Sequence, residues 1–94
     1  MHTLESIKKD ILPVLQEHGV ISASLFGSTV RNTREPVSDL DILVELEEGS
    51  NLFDLIRLKN ELEKSAGIEV DLVTYNSLHP LFEERILQEK QDIL

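Results

Sequence analysis

Residues 25–46 read LFGSTVRNTREPVSDLDILVEL, and most of the expected architecture rests on this stretch. One apolar run ends at the pair Gly27-Ser28, and a second apolar run follows Asp39 and Asp41. Because side chains alternate between the two faces of a strand, the two aspartates share one face and their apolar neighbours point to the other. The stretch therefore predicts two strands, with a glycine turn after the first and two carboxylates at the start of the second.

The segment before this stretch is expected to be helical. Its apolar residues recur at helical spacing, Thr3 is a suitable N-cap, and Gly19 is a suitable end. Pro13 interrupts the pattern. Either the helix kinks at Pro13, or a second helix begins with Asp10 as its N-cap and carries Pro13 in its first turn, where no hydrogen bond is lost.

The remaining segments continue to alternate helices with strands. We predict strands over residues 20–26, 40–46 and 69–75. Between the first two strands we expect a short helix over 28–32 and a loop over 34–38. We also predict a helix over 51–65, which Asn51 caps and Gly67 ends, and a last helix that begins at Pro80. The residues expected to face inward are Leu52, Leu55, Ile56, Leu58 and Leu62 in the first of these long helices, and Leu81, Phe82, Ile86 and Leu87 in the second. This order predicts an α+β fold, an α/β sandwich of two or three layers on a small mixed sheet, and we expect the tail to fray.

Size and composition limit the possible functions. The 94 residues fit a single domain over residues 1–94 with one modest core. The chain contains no apolar run of about 18 residues that would cross a bilayer, and its start lacks the apolar stretch of a signal peptide, so we expect a cytoplasmic protein without a membrane association. The absence of cysteine excludes disulfides, thiolate zinc sites and a cysteine nucleophile.

The formal net charge of -9 bears on the choice of partner. The nine lysines and arginines are scattered, so we do not expect direct binding to nucleic acid. An acidic surface suits a basic partner protein or cations. Solubility alone is the simpler explanation of surface charge in general.

The paired carboxylates of Asp39 and Asp41 are suited to a cation. Like charges at this spacing repel each other and resist burial unless a cation neutralises them, and Mg²⁺ takes one or two carboxylates together with substrate phosphates. An isolated Asp-x-Asp would more simply be a turn cap followed by an edge-strand charge.

The Gly27-Ser28 pair is suited to a phosphate. A helix N-terminus offers free N–H groups, and glycine lets the backbone approach a ligand closely. A plain strand-to-helix turn with Ser28 as N-cap is the alternative. The pair can share one ligand with Asp39 only if the first two strands are antiparallel.

Asp71 adds a third carboxylate inside an apolar strand, where aspartate is disfavoured. If this strand lies parallel to the second strand, Asp71 comes close to Asp39 and Asp41. Three carboxylates around two metal ions are the arrangement that in-line nucleotidyl transfer uses. The alternative for Asp71 is a charge that protects an edge strand, and the two readings are balanced for Asp71 alone.

These features together resemble a known family. Gly27-Ser28, ten further residues and then Asp39-x-Asp41 resemble the GSx10DxD signature of the DNA polymerase beta-like nucleotidyltransferases. The segments LFGS, SDLDILVEL, LFDLIRLKNELE and VDLVT, with Arg31, are similar to the minimal nucleotidyltransferases, the MNT-domain antitoxins that pair with HEPN-domain toxins. The similarity covers about residues 4–88. One departure is Asn32, where family members often have glycine.

The resemblance implies a role for each matching residue. Gly27 and Ser28 would hold the triphosphate, Asp39 and Asp41 would bind Mg²⁺, and Asp71 would complete the metal site and help to activate the attacking hydroxyl. Arg31 would approach a phosphate or hold the loop acids, with a solvated helix residue as its alternative.

The resemblance also implies a reaction and a partner. With two Mg²⁺ ions, the protein would transfer AMP from ATP to a tyrosine of a HEPN toxin and so silence it. The alternatives are an antitoxin that acts by binding alone and a transferase for a small molecule such as an aminoglycoside. The chain has no room for an acceptor-binding domain, so a partner subunit or a second copy in a homodimer would have to complete the site.

Other residues are weaker candidates. His2, His18 and His79 show no metal-ligand spacing and are expected at the surface. Phe53 and Phe82, with the apolar residues of the last helix, would suit a partner surface, but core packing is the expectation.

Overall fold

The computed structural model describes residues 3–27, 29, 37 and 39–94. The elements are the helices α1 (Leu4–Glu17), α2 (Leu52–Ala66) and α3 (Pro80–Glu89), the strands β1 (Ser22–Leu25), β2 (Asp39–Glu45), β3 (Glu69–Thr74) and β4 (Gln91–Asp92), and a 3₁₀ turn over Tyr75–Ser77. The predicted short helix over residues 28–32 falls largely outside the described residues. Among the helices described, none is both long and apolar enough to cross a bilayer.

The four strands form one mixed sheet in the order β3-β2-β1-β4. Strand β1 is antiparallel to both β2 and β4, whereas β2 and β3 are parallel. The predicted mixed sheet is therefore confirmed. The first two strands are antiparallel, so the condition for the glycine turn and the aspartates to share one ligand is met.

The main hydrophobic core lies between one face of this sheet and the helices α1 and α2. Leu40, Ile42 and Val44 alternate along β2 towards this core and are fully buried. They pack against Ile11 and Leu15 of α1, among others. Because strand side chains alternate, Asp39 and Asp41 of β2 lie on the opposite face, away from the helical core.

The sequence signals that begin and end the helices are confirmed. Thr3 Oγ1 accepts a hydrogen bond of 3.2 Å from the Ser6 N–H at the start of α1. Asn51 and Asp54 each accept a bond of 3.0 Å from the other's backbone N–H, which is a capping box at the start of α2. Gly67 ends α2 in the left-handed conformation, with φ at +73°.

Pro13 lies inside α1, which is one helix from Leu4 to Glu17. The alternative of a second helix capped by Asp10 is therefore wrong. An internal proline removes one helical hydrogen bond and costs roughly 3 kcal/mol. The fully buried Ile11 and Leu15 on either side of Pro13 explain why the helix continues, since tertiary packing supplies most of the stability of such helices.

The predicted inward faces of α2 and α3 are only partly correct. Leu58 and Leu62 are fully buried, but Leu52 and Ile56 are exposed, and α3 has no buried residue. The exposed residues of α3 include Leu81, Phe82 and Leu87, and Phe53 of α2 is 71% exposed, so the expectation of core packing for Phe53 and Phe82 is wrong. Helical spacing indicates which side chains share a face, but it does not indicate whether another element covers that face.

The C-terminal tail is ordered against β1, so the expectation that it frays is wrong. The Ile93 N–H donates to the Ala23 carbonyl at 2.8 Å, and the Ser24 hydroxyl donates to Asp92 Oδ1 at 2.6 Å. Lys90 Nζ also lies 2.6 Å from Asp92 Oδ1. These bonds hold the pKa of Asp92 below its ordinary value, and the hydrogen bond from Lys90 is the largest cause.

Candidate functional site

The three candidate carboxylates lie on two neighbouring parallel strands. Asp39 and Asp41 are the first and third residues of β2, and Asp71 is the third residue of β3. In the strand register, Asp41 pairs with Asp71, and Asp39 pairs with Glu69. Because adjacent strands lie about 4.8 Å apart, Asp41 and Asp71 are close neighbours on the same face of the sheet.

The carboxylate oxygens on this face suit a hard divalent cation, but they do not by themselves form a complete coordination shell. Within residues 3–27, 29, 37 and 39–94, no three His, Asp or Glu side chains converge closely enough to hold a metal ion. Mg²⁺ commonly takes only one or two carboxylates and completes its shell with water and substrate phosphates. A pair such as Asp41 and Asp71 is therefore a fitting donor set for Mg²⁺ that arrives with a nucleotide.

Gly27 lies directly beside the Asp41 carboxylate. Its φ of +63° is a conformation that favours glycine. A Cβ at position 27 would lie only 2.8 Å from Asp41 Oδ2, closer than atoms in contact normally approach. The turn after β1 and the carboxylate on β2 can therefore lie side by side because residue 27 has no side chain.

The backbone of Asp41 is bonded on both sides to the segment that contains Gly27. The Phe26 N–H donates to the Asp41 carbonyl at 3.1 Å. The Asp41 N–H donates to Thr29 Oγ1 at 2.9 Å. Thr29 is only 5% exposed, so this bond is sheltered from water. Phe26 and Thr29 thus bond to the carbonyl and the amide of Asp41, and Gly27 lies beside its carboxylate.

Thr29 was missed in the sequence. A hydroxyl residue beside a glycine turn suggests a local cap, because serine and threonine commonly bond to backbone groups a few residues away. The partner of Thr29 lies twelve residues away on the next strand. The antiparallel pairing of β1 with β2 brings the Thr29 hydroxyl and the Asp41 amide together, and a local sequence pattern does not predict such a contact.

Ser28 and Arg31 lie outside the described residues. Their predicted contacts with phosphate stay predictions. The candidate site that the structure describes consists of Gly27, Asp39, Asp41 and Asp71.

A cleft in the described part of the chain is separate from these residues. It has a volume of about 720 Å³ and lies where β2 and β3 end and α2 begins. Its lining includes Glu47, Leu52 and Tyr75 but none of the candidate residues. The aspartates lie at the opposite end of β2, where Asp39 and Asp71 are exposed and so accessible to a ligand or to a second protein.

Comparisons with known proteins show the family of this chain. The family model of the nucleotidyltransferase domain matches residues 7–93. A candidate protein adenylyltransferase of Methanocaldococcus jannaschii is 55% identical, covering 97% of this chain and 98% of that protein. The protein adenylyltransferase MntA of Thermococcus cleftensis is 38% identical, covering 95% of this chain and 94% of its own length.

Solved structures show the same fold. A candidate minimal nucleotidyltransferase superimposes with a TM-score of 0.78 at 38% identity, covering 94% of this chain and 90% of that chain. A chain from the complex of a tri-AMPylated Shewanella oneidensis HEPN toxin with an MNT antitoxin gives a TM-score of 0.72 at 18% identity, covering 96% and 71%. The second likeness concerns the fold alone.

The glycine turn beside a paired aspartate strand, the mixed sheet and the match over residues 7–93 lead to one assignment. This chain belongs to the nucleotidyltransferase domain family, as a minimal nucleotidyltransferase of the kind that includes the protein adenylyltransferases.

Proposed function

We propose that this protein transfers AMP from ATP to a hydroxyl group of a HEPN toxin, with Mg²⁺ as the cofactor, and acts as the antitoxin of that partner. The observation that carries the proposal is the position of the Asp41 carboxylate, which lies between the backbone of Gly27 and the neighbouring strand that bears Asp71. A nucleotidyltransferase must hold a triphosphate and a cation side by side, and this juxtaposition offers a surface for each.

The proposed roles follow from the donor atoms. Pairs of carboxylates drawn from Asp39, Asp41 and Asp71 would hold Mg²⁺, which would neutralise the triphosphate and stabilise the charge that develops at the α-phosphate. The bare backbone at Gly27, with Ser28, would bind the phosphates. Asp71 is exposed at the site and would accept the proton of the attacking hydroxyl. The new bond joins that oxygen to the α-phosphorus, and pyrophosphate leaves with the bridging oxygen.

The acceptor would come from a second protein. The two candidate aspartates Asp39 and Asp71 are exposed, and no described element forms a lid over them. A tyrosine hydroxyl of a HEPN toxin is the proposed acceptor, and the solved complex that contains an AMPylated HEPN toxin supports a HEPN partner by analogy. The net charge of -9 favours a basic partner.

A second candidate function is neutralisation by binding alone. The exposed aromatic rings of Phe53 and Phe82 favour it, because aromatic residues are enriched where protein interfaces form. Such an antitoxin would carry the carboxylates without using them. The two candidates make different predictions for the mass of the partner.

Intact-mass spectrometry of the partner distinguishes them. A HEPN protein is incubated with ATP, Mg²⁺ and either the wild-type protein or a variant that carries both Asp39→Asn and Asp41→Asn. The proposal predicts one or more added AMP groups with the wild type and none with the double variant. Asp10→Asn, an exposed aspartate of α1, is the matched control and should behave like the wild type. A partner that is neutralised but never modified would contradict the proposed reaction and support binding alone.

A further inference from the structure

Thr29 joins the two halves of the proposed nucleotide site. We infer that Thr29 is a positioning residue, whose hydroxyl holds the Gly27 turn in register with Asp41 so that phosphate and metal meet in one geometry. This inference rests on the proposed function and assigns a role to a residue that contacts neither ligand in that proposal.

The Thr29 hydroxyl accepts a hydrogen bond from the backbone of Asp41. The Asp41 N–H donates to Thr29 Oγ1 at 2.9 Å, which is a short and therefore favourable bond of its type. Thr29 is 5% exposed, so water is a poor substitute for the hydroxyl. Without it, the Asp41 amide would lack its sheltered acceptor, and the turn would lose its direct link to β2 at this point.

Phe26, on the other side of Gly27, is also bonded to Asp41. The Phe26 N–H donates to the Asp41 carbonyl at 3.1 Å, and Asp41 Oδ2 lies so near Gly27 that a Cβ there would be only 2.8 Å from it. Asp41 is therefore held by residues before and after Gly27. If the turn moved, the distance between the metal-binding carboxylate of Asp41 and the phosphates bound at the turn would change.

The chemical consequence should fall on catalysis more than on folding. In-line transfer depends on the alignment of reacting groups, and a displacement of about 1 Å can reduce the rate by about 100-fold. Removing the Thr29 hydroxyl permits such a displacement without removing any group that binds the nucleotide. The inference therefore predicts a lower kcat and a higher Mg²⁺ requirement, with smaller change in the KM for ATP.

Thr29→Val and Thr29→Ser provide the matched pair. Valine keeps the branched shape and the packing but has no hydroxyl, whereas serine keeps the hydroxyl and loses one methyl group. We expect Thr29→Val to lower kcat by about tenfold or more, within the loss that misalignment can cause. Thr29→Ser should restore most of it. Val20→Ala, a truncation at a buried valine outside the site, controls for lost stability and should leave the kinetics unchanged.

Amide hydrogen exchange supplies a readout that does not depend on activity. In the ATP-free protein, the Asp41 amide should exchange faster in Thr29→Val than in the wild type, and Thr29→Ser should restore its protection. Equal exchange and equal kcat in Thr29→Val and the wild type would overturn the inference alone, as would a serine variant as impaired as the valine variant. A wild-type protein that neither binds ATP with Mg²⁺ nor transfers AMP would overturn the proposed function, and this inference with it.

Discussion

Gly27, in the turn after β1, lies beside the Asp41 carboxylate of β2, and a Cβ at position 27 would lie 2.8 Å from Asp41 Oδ2. This arrangement brings together the two parts of the sequence signature, the Gly27-Ser28 pair and the Asp39-x-Asp41 motif, which are separated by ten residues in the chain. The glycine is required twice, by its φ of +63° and by the carboxylate beside it. The proposed phosphate turn and the proposed metal ligand are therefore one structural unit.

Gly27→Ala should impair transfer far more than it impairs folding. The added methyl group must displace the Asp41 carboxylate, so we expect a loss in kcat/KM of about 100-fold, the effect of a misplaced reacting group. Gly49→Ala is a matched control, because Gly49 also has a positive φ of +94° but no atom within 4 Å of its Cβ position. Both variants should lose roughly 1–2 kcal/mol of stability through backbone strain. Equal kinetic losses in the two variants would contradict the account.

Asp71→Asn tests the carboxylate on the neighbouring strand. The change keeps the size of the side chain and removes the charge that is proposed to hold Mg²⁺ and accept a proton. We expect the transfer rate to fall by about 100-fold or more, within the range for a lost general base, while the melting temperature stays close to that of the wild type. Asp10→Asn should leave both quantities unchanged. Full activity of the Asp71→Asn variant would assign Asp71 to protection of an edge strand.

Phe53→Gln and Phe82→Gln test the exposed aromatic residues. Their side chains are 71% and 57% exposed, so each change should alter the free energy of unfolding by less than about 0.5 kcal/mol. If they contact the partner, each should weaken binding by about tenfold or more, the effect of losing an aromatic anchor. Leu58→Ala, at a fully buried position, should instead cost about 2–5 kcal/mol of stability. Unchanged partner affinity in both glutamine variants would remove these rings from the interface.

The tail strand should make stability depend on pH through Asp92. The Lys90 ammonium and the Ser24 hydroxyl lower the pKa of Asp92 in the folded protein. A lowered carboxyl pKa stabilises the fold above the unfolded pKa of 3.8, and this contribution is lost as pH falls through the folded value. Asp92→Asn should therefore reduce stability in urea unfolding at pH 7. The difference from the wild type should shrink below pH 3.8, and a difference that is constant with pH would contradict the assignment.

Local signals predicted the fold well wherever the deciding interactions are local. Asn51 and Gly67 mark the ends of α2 because their side chain or backbone freedom acts within one helical turn. Pro80 is the first residue of α3 for the same reason. The alternation at Asp39 and Asp41 placed both residues on one face of a strand.

Interactions between distant residues were the ones missed. Strand β4 consists only of Gln91 and Asp92, too short for a periodic pattern, and it exists because β1 offers an open edge. The bond between Thr29 and Asp41 depends on the pairing of two strands. The exposure of Phe82 depends on which elements cover α3, and the helical spacing of apolar residues does not predict this.

Calorimetric titration with ATP, in the presence and absence of Mg²⁺, tests the central claim most directly. If Asp39, Asp41 and the Gly27 turn form one site for a cation and a triphosphate, the wild type should bind ATP at least tenfold more tightly with Mg²⁺ than with EDTA, because the cation offsets the repulsion between carboxylates and phosphates. The variant with Asp39→Asn and Asp41→Asn should lose this dependence. Equal affinity of the wild type with Mg²⁺ and with EDTA would contradict the claim.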